Sequence, residues 1–530
     1  MHEFETLIGL LLVAVTLAAV ARRIGAPYPA LLALGGAVLA FVPGAPVFSI
    51  PPDLALALFV APVLLDAAYD ASPRDLKENW APVAGLVVVS VGLTTIAVAV
   101  VARAMVPAMP WAAAVALGAV VAPPDATAAI AVLRQVNLPH RLLTILEGES
   151  LLNDASALLI YRLAVGAVLA SAFSLRAVAP AFLLAVAGSL LAGPVLAWLM
   201  QVVTKRVKDV PTAIILQFIT TFGVWIVAER IGLSGVLTMV CFAIAVSRRA
   251  PERTPARIRV PSYAVWDTVV FVLNVLAFVF IGLQIRPILT ALEPGRRALY
   301  FEVAGAVLLT VIVVRVAWVM THNAALRWKI RRFGFHPPRP TLRPSVRTGL
   351  VVSWSGMRGI VTLAAALALP MQAGGTAFPF RDLIVFTAFS VVLGTLVIQG
   401  LTLRPLLRAL DLHDDDPVGR EVELARERAL QAALATLGGD GSPAAEVVRE
   451  ELATHLERGP GEAQDGRAQR SVHAAMHQRA LTEARRTVLE MRAKGDIGDD
   501  AFHRLEEQLD WVELGSGASK LPFPESEGAP

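Results

Sequence analysis

One cysteine, Cys241, stands alone inside an apolar run, so neither a disulfide nor a cysteine-built metal site can form within one chain. Charge is scarce as well: Asp, Glu, Lys and Arg make up 17% of 530 residues, against about 25% in ordinary soluble domains. No phosphate-cradling Gly-x4-Gly-Lys-Ser/Thr loop occurs, which leaves ATP-driven work without a visible engine in this chain. His-Glu-x-x-His and Gly-x-Ser-x-Gly are absent, and the histidines are scattered, mostly in loops and the C-terminal part, which argues against a metalloprotease or serine hydrolase. The first residues (Met1, His2, Glu3, Glu5) lack a basic stretch, so the first apolar segment is expected to be a retained helix and not a cleaved signal peptide.

What is abundant is hydrophobicity, at 56% of residues. Apolar runs recur from Leu7 to Leu407, many near the roughly 20 residues a helix needs to cross about 30 Å of hydrocarbon. The expected fold is an all-α polytopic membrane protein. Thirteen transmembrane helices are expected near 4–21, 27–43, 52–69, 81–102, 111–132, 143–171, 179–203, 212–229, 232–247, 262–284, 298–321, 347–371 and 380–408. Alternate connections carry 21 and 7 Lys and Arg, a bias that places the richer set, and everything after Leu410, in the cytoplasm.

Charge divides the chain in two. Residues 1–410 hold 33 basic against 18 acidic side chains, and residues 411–530 hold 14 against 25. The basic excess lies in short loops and reads as membrane topology, so no nucleic-acid partner is implied. Residues 411–530 read as a cytoplasmic, acidic, helical regulatory tail, with helices over Glu421–Leu437, Ala444–Arg458, Gln469–Ala493 and Asp499–Leu514, and disorder from Gly515 onward.

Two spans are interrupted. The fifth contains Val121-Ala122-Pro123-Pro124-Asp125-Ala126-Thr127, whose prolines remove two backbone donors. The twelfth contains Ser353-Trp354-Ser355-Gly356-Met357-Arg358-Gly359, with an arginine between two glycines. An offset of seven spans makes two antiparallel, inverted repeats, and broken helices at matching places in such repeats point to a transporter's midplane site.

Beside them lies Gly148-Glu149-Ser150-Leu151-Leu152-Asn153-Asp154, polar within an apolar span. On a helix Ser150 and Asp154 share a face, with Glu149 and Asn153 in a parallel stripe. Buried ionisable groups mark an ion path, a proton relay or a paired structural charge. Asp154 is the candidate carboxylate that holds either a proton or a hard cation. Asp125, with Thr127 assisting, can cap the second half-helix, and, compatibly with that, its carboxylate is expected to supply oxygen to a cation. Glu149 and Arg358 are expected to form a structural ion pair. Asp66 is a further buried acid able to join through water. Asp267, Arg162, Arg315 and Glu229-Arg230 are expected to be interfacial or structural.

These pieces resemble the monovalent cation:proton antiporter-1 family, the sodium/proton exchangers, and in particular their bacterial branch. The resemblance rests on Pro62–Tyr69, Pro123-Pro124-Asp125-Ala126, the Gly148–Asp154 string, Ser234-Gly235-Val236, Phe278–Leu283 and Trp354–Gly359. It implies thirteen helices in two inverted repeats, a homodimer, and elevator-like movement of a core domain against a dimerisation domain. It also implies that Asp154 is the shared proton/cation carboxylate, with Na+ held by Asp154, Asp125 and Ser150, the Pro124 carbonyl, and assistance from Asp66. An Asn153-Asp154 pair implies electroneutral one-for-one exchange. Pro124 stands where many members carry threonine, keeping a carbonyl and losing a hydroxyl. The resulting expectation is a secondary antiporter exchanging Na+, Li+ or K+ for H+ across a prokaryotic plasma (inner) membrane. Na+ and H+ are its cargo, and no cofactor is expected. A potassium/proton antiporter of the same fold, a cation channel and a membrane cation sensor are the alternatives.

Overall fold

The computed structural model describes residues 2–24, 26–43, 51–133, 139–169, 175–207, 209–250, 254–334, 345–373, 376–412, 417–437, 442–443, 445–450 and 469–515. Among them the chain is helical apart from a ribbon of two residues per strand, Gln372–Ala373 against Thr376–Ala377. In chain order the main helices are α1 (His2–Ile24), α2 (Tyr28–Leu39), α3 (Pro52–Asp70), α4 (Trp80–Met105), α5 (Trp111–Val121), α6 (Ala126–Leu133) and α7 (His140–Leu169). There follow α8 (Leu175–Thr204), α9 (Val210–Arg230), α10 (Gly235–Ser247), α11 (Ala256–Leu283) and α12 (Arg297–Phe333). The last are α13 (Val346–Trp354), α14 (Ile360–Leu367), α15 (Arg381–Leu410), α16 (Pro417–Leu437), α17 (Gln469–Lys494) and α18 (Asp499–Gly515).

Eight helices among the described residues are long and apolar enough to cross a membrane, and three more, α2, α5 and α10, are apolar but shorter. This is a multi-pass membrane protein. The fifth and twelfth expected spans each hold two short helices, α5 with α6 and α13 with α14, separated by non-helical backbone at 122–125 and 355–359. Proline explains the first break, since Pro123 and Pro124 cannot donate to the helical ladder. A capping box at Ser345 and Thr348 sets the start of α13, and Gly359 precedes the start of α14.

The membrane helices pack as two bundles. In one, α4, α5 and α7 lie side by side, and α12 packs against α4, α13 and α15, with α14 against α15. In the other, α2 packs on α11, while α10 packs on α8, α9 and the second half of α3. The α2–α11 contact is backbone to backbone: a β-carbon on Gly36 would lie 2.3 Å from the Val279 carbonyl oxygen, and one on Gly282 2.2 Å from that of Ala33. Small residues permit this approach, and dispersion is what holds helices together where no water is displaced. The bundles touch where α15 meets α2 and α7 meets α10.

Helices α16, α17 and α18 bury a separate core that includes Val422, Ala429, Val488, Phe502, Leu505 and Leu509. The expected helix Ala444–Arg458 lies mostly outside the described residues, which show 445–450 as helical. The C-terminal helices dock by charge. Arg259 of α11, 2% exposed, donates through Nε to Asp510 at 2.9 Å and reaches Glu506 at 3.2 Å, while Arg74 meets Glu421 at 3.2 Å.

Candidate functional site

The two helix breaks lie against each other. The Asp125 N–H donates to the Met357 carbonyl at 2.6 Å, so backbone freed by one break is satisfied by the other. The Asp125 side chain lies over Gly359: a β-carbon there would sit 1.6 Å from Asp125 Oδ2. Glycine at 359 is therefore a space requirement set by the carboxylate.

Arg358 fills the crossing and is 1% exposed. Its Nε donates to the Val121 carbonyl at 3.0 Å, its Nη2 to that of Ala122 at 3.1 Å, and its Nη1 to that of Gly356. Its own N–H donates to Thr395 Oγ1 at 3.0 Å. The guanidinium thus serves the orphaned carbonyls at the C-terminal end of α5, where a half-helix dipole is negative.

That arrangement corrects the expected Glu149–Arg358 pair. Glu149 pairs with Arg315 of α12, Nη2 donating to Oε2 at 2.8 Å and Nη1 to Oε1, with both side chains 2% exposed. Arg315 also donates to the carbonyls of Ser353 at 3.2 Å and Val352 at 3.0 Å. The physical reason is donor supply: carbonyls consume the Arg358 donors, whereas Arg315 offers a two-pronged fork to a carboxylate and still reaches the last turn of α13. One signal for it was in the sequence. Arg315 is the one basic residue in the expected span 298–321.

Helix α7 brings the remaining candidates. Asn153, fully buried, donates through Nδ2 to the Pro124 carbonyl at 2.7 Å, fastening α7 to the first break. Its Oδ1 is buried without a hydrogen-bond partner among the described residues. One position on, Asp154 is 8% exposed, and the charge of Asp125 acts directly on it. Ser150, a turn earlier on the same face, is half-buried. Ser156 donates to the Val87 carbonyl at 2.9 Å, tying α7 to α4. The structure therefore gathers Asp154, Asp125, Pro124, Asn153 and Arg358, with the Glu149–Arg315 pair behind them. The side chain of Thr127 lies outside the described residues.

Asp66 stands elsewhere. It is half-buried and lines a cavity of about 610 Å³ with Tyr69, Asp70, Gln217, Trp266 and Arg259, roofed by His503 and Arg504 of α18. Neither Asp125 nor Asp154 is among the described residues of that lining. Arg162 and Glu229, expected to be structural or interfacial, pair with each other at 2.6 Å.

The two helix breaks bring together the carboxylates of buried Asp154 and half-buried Asp125, with carbonyl oxygens beside them. Such an arrangement of hard oxygen donors can hold a small hard cation or a proton. Comparison with known proteins identifies the family. Residues 9–409 match the sodium/hydrogen exchanger transmembrane family. The sodium, potassium, lithium and rubidium/H+ antiporter of Bacillus pumilus is 32% identical over 425 residues, which is 78% of this chain and 62% of that protein. An uncharacterized Na+/H+ exchanger of Mycobacterium tuberculosis is 33% identical over 438 residues, 81% of this chain and 78% of that one. The sodium proton antiporter MjNhaP1 of Methanocaldococcus jannaschii shares the fold, with a TM-score of 0.58 at 17% identity over 78% of this chain and 100% of its own. The chain spans 62% and 58% of the length of the two Bacillus antiporters it matches. From the family match over residues 9–409, this chain belongs to the sodium/hydrogen exchangers.

Proposed function

We propose that this protein is a secondary antiporter that exchanges Na+ for H+ at Asp154. The observation that carries the reading is the placement of Asp154, buried and within electrostatic reach of Asp125, at the crossing of two broken helices. Loading a cation there requires the carboxylate form, and loading a proton removes the charge that holds the cation. Occupancy by one therefore releases the other. Ser150, Asp125 and the second lone pair of the Pro124 carbonyl complete the oxygen set, and the unpartnered Asn153 Oδ1 is available to it. Asp66, on the large cavity, receives ions on their way to the site. Arg358 and the Glu149–Arg315 pair keep the crossing rigid.

With asparagine at 153, one carboxylate at this level of α7 exchanges one proton for one cation, and the cycle is electroneutral. Thirteen spans in two inverted repeats, a homodimer, a cytoplasmic tail and a plasma-membrane location complete the reading. The names of the Bacillus relatives include potassium, lithium and rubidium, so a broader monovalent range is the second reading. Proteoliposomes loaded at several pH values and challenged with Na+, Li+ and K+ separate these. Cation-driven pH changes that vanish in Asp154→Asn support antiport, and cation flux without a pH change refutes it.

A further inference from the structure

The C-terminal helices meet the membrane helices at a cluster the transport reading does not use. His140, the first residue of α7, sits between two carboxylates: its Nε2 is 3.1 Å from Asp75 Oδ2 and its Nδ1 is 3.1 Å from Asp500 Oδ2. Asp75 lies on the short helix Pro73–Glu78 between α3 and α4, and Asp500 on the first turn of α18. One ligand atom from each of the three lies within 4.8 Å of the others. Beside them is a cavity of about 10 Å³ lined by Asp500, Glu147, Thr144 and Ser72, the size of about one water or one small ion.

Nitrogen and oxygen ligands about 2.0–2.2 Å from one metal ion lie about 3.0–3.4 Å from each other. The 3.1 Å spacing of His140 Nδ1 and Asp500 Oδ2 is therefore that of two ligands of one ion. Imidazole combined with carboxylate oxygen suits Zn2+, Co2+ or Mn2+ and is a poor alkali-cation set. The remaining ring N–H, donating to the other carboxylate, is the arrangement that orients metal-bound histidines.

We propose that Asp75, His140 and Asp500 form a site for a divalent transition metal that fastens α18 to the start of α7. The far end of α18 is already fixed, because Asp510 and Glu506 hold Arg259 of α11. Helices α7 and α11 belong to different bundles. An occupied site therefore straps the bundles together and opposes sliding of one against the other. The strap's effect on exchange rests on the antiport reading; the site itself does not.

The test uses the full chain in nanodiscs, stripped with a chelator, then titrated with Zn2+ by calorimetry and with Co2+ by visible absorption. A single equivalent is expected to bind, with affinity at least about 10-fold weaker in Asp500→Asn and in His140→Gln. Metal-free Asp500→Asn should melt near the wild type, which separates ligand loss from unfolding. Absence of uptake by the wild type, as when a protonated imidazole alone bridges the carboxylates, overturns the site. Undiminished uptake by both variants does the same. In proteoliposomes Zn2+ should slow exchange by the wild type several-fold and leave Asp500→Asn unaffected. If no exchange occurs at all, the titration still decides the site, so the two readings fail separately.

Discussion

The backbone N–H of Asp125 and the carbonyl of Met357 meet at 2.6 Å, and this single bond joins two halves of the chain 232 positions apart. It puts a carboxylate from the first break over Gly359 of the second. Asn153 then locks α7 to the same crossing through Pro124. Asp154 follows Asn153 directly, so its place is set by the crossing more than by its own helix.

Asp154→Asn keeps size and hydrogen bonding but cannot carry a charge. Cation-driven pH change in proteoliposomes should fall to background while size-exclusion profile and thermal stability stay close to the wild type. Retained exchange would remove Asp154 from the mechanism.

Glu149→Gln leaves Arg315 as an uncompensated buried charge, which costs about 3–5 kcal/mol when a buried pair loses one member. The melting temperature of the purified protein should drop clearly. The double variant Glu149→Gln with Arg315→Met should recover part of the loss, because removing both charges also removes their desolvation. Equal loss in single and double variants would mean that the pair is not coupled.

Gly359→Ala places a methyl group where Asp125 Oδ2 lies. The carboxylate must rotate away, and the exchange rate should fall by about 10-fold or more, a misplacement effect of the size expected when an acting group is moved by about 1 Å. Melting should change less than in Glu149→Gln. Unaltered exchange would show that the Asp125 position is immaterial.

Arg259→Gln removes the guanidinium from Asp510 and Glu506, both at most 5% exposed, leaving Asp510 with Arg485 at 2.6 Å and Glu506 with His503 at 3.4 Å. Hydrogen exchange across residues 499–515 should rise by about 10-fold or more. Protection unchanged from the wild type would mean that apolar packing alone docks α18.

His503 predicts a pH dependence of that docking. Burial disfavours its charged form, but a contact with Glu506 at 3.4 Å and the charges of Glu506 and Asp70 outweigh burial and the opposing Arg492, so its pKa is raised above the ordinary imidazole value. The ring also stacks on Tyr69 of α3, centroids 6.3 Å apart. A raised folded-state pKa gives stabilisation that is complete below the unfolded value and lost as pH rises through the folded one. In metal-free protein, exchange protection of 499–515 should therefore weaken from about pH 6 toward pH 9, and His503→Gln should flatten the profile. A profile that strengthens with pH contradicts the assignment.

Much of this was legible in residue order alone. Hydropathy located the helices because each must cover its backbone hydrogen bonds with apolar side chains of sufficient length. Pro123-Pro124 and Gly356/Gly359 announced the breaks, since proline lacks a donor and glycine tolerates unusual backbone. The Gly148–Asp154 string announced the acid. What local order could not supply was partnership. Arg315 and Arg358 are both lone cations in apolar surroundings, and only the packing of α12 beside α7 gave Glu149 to the former. Likewise nothing near Asp500 in the chain points to His140, and nothing near Gly359 points to Asp125. Helix formation and burial depend on neighbours within a few positions, whereas pairing of charges depends on which helices lie side by side, and that is decided by the whole fold.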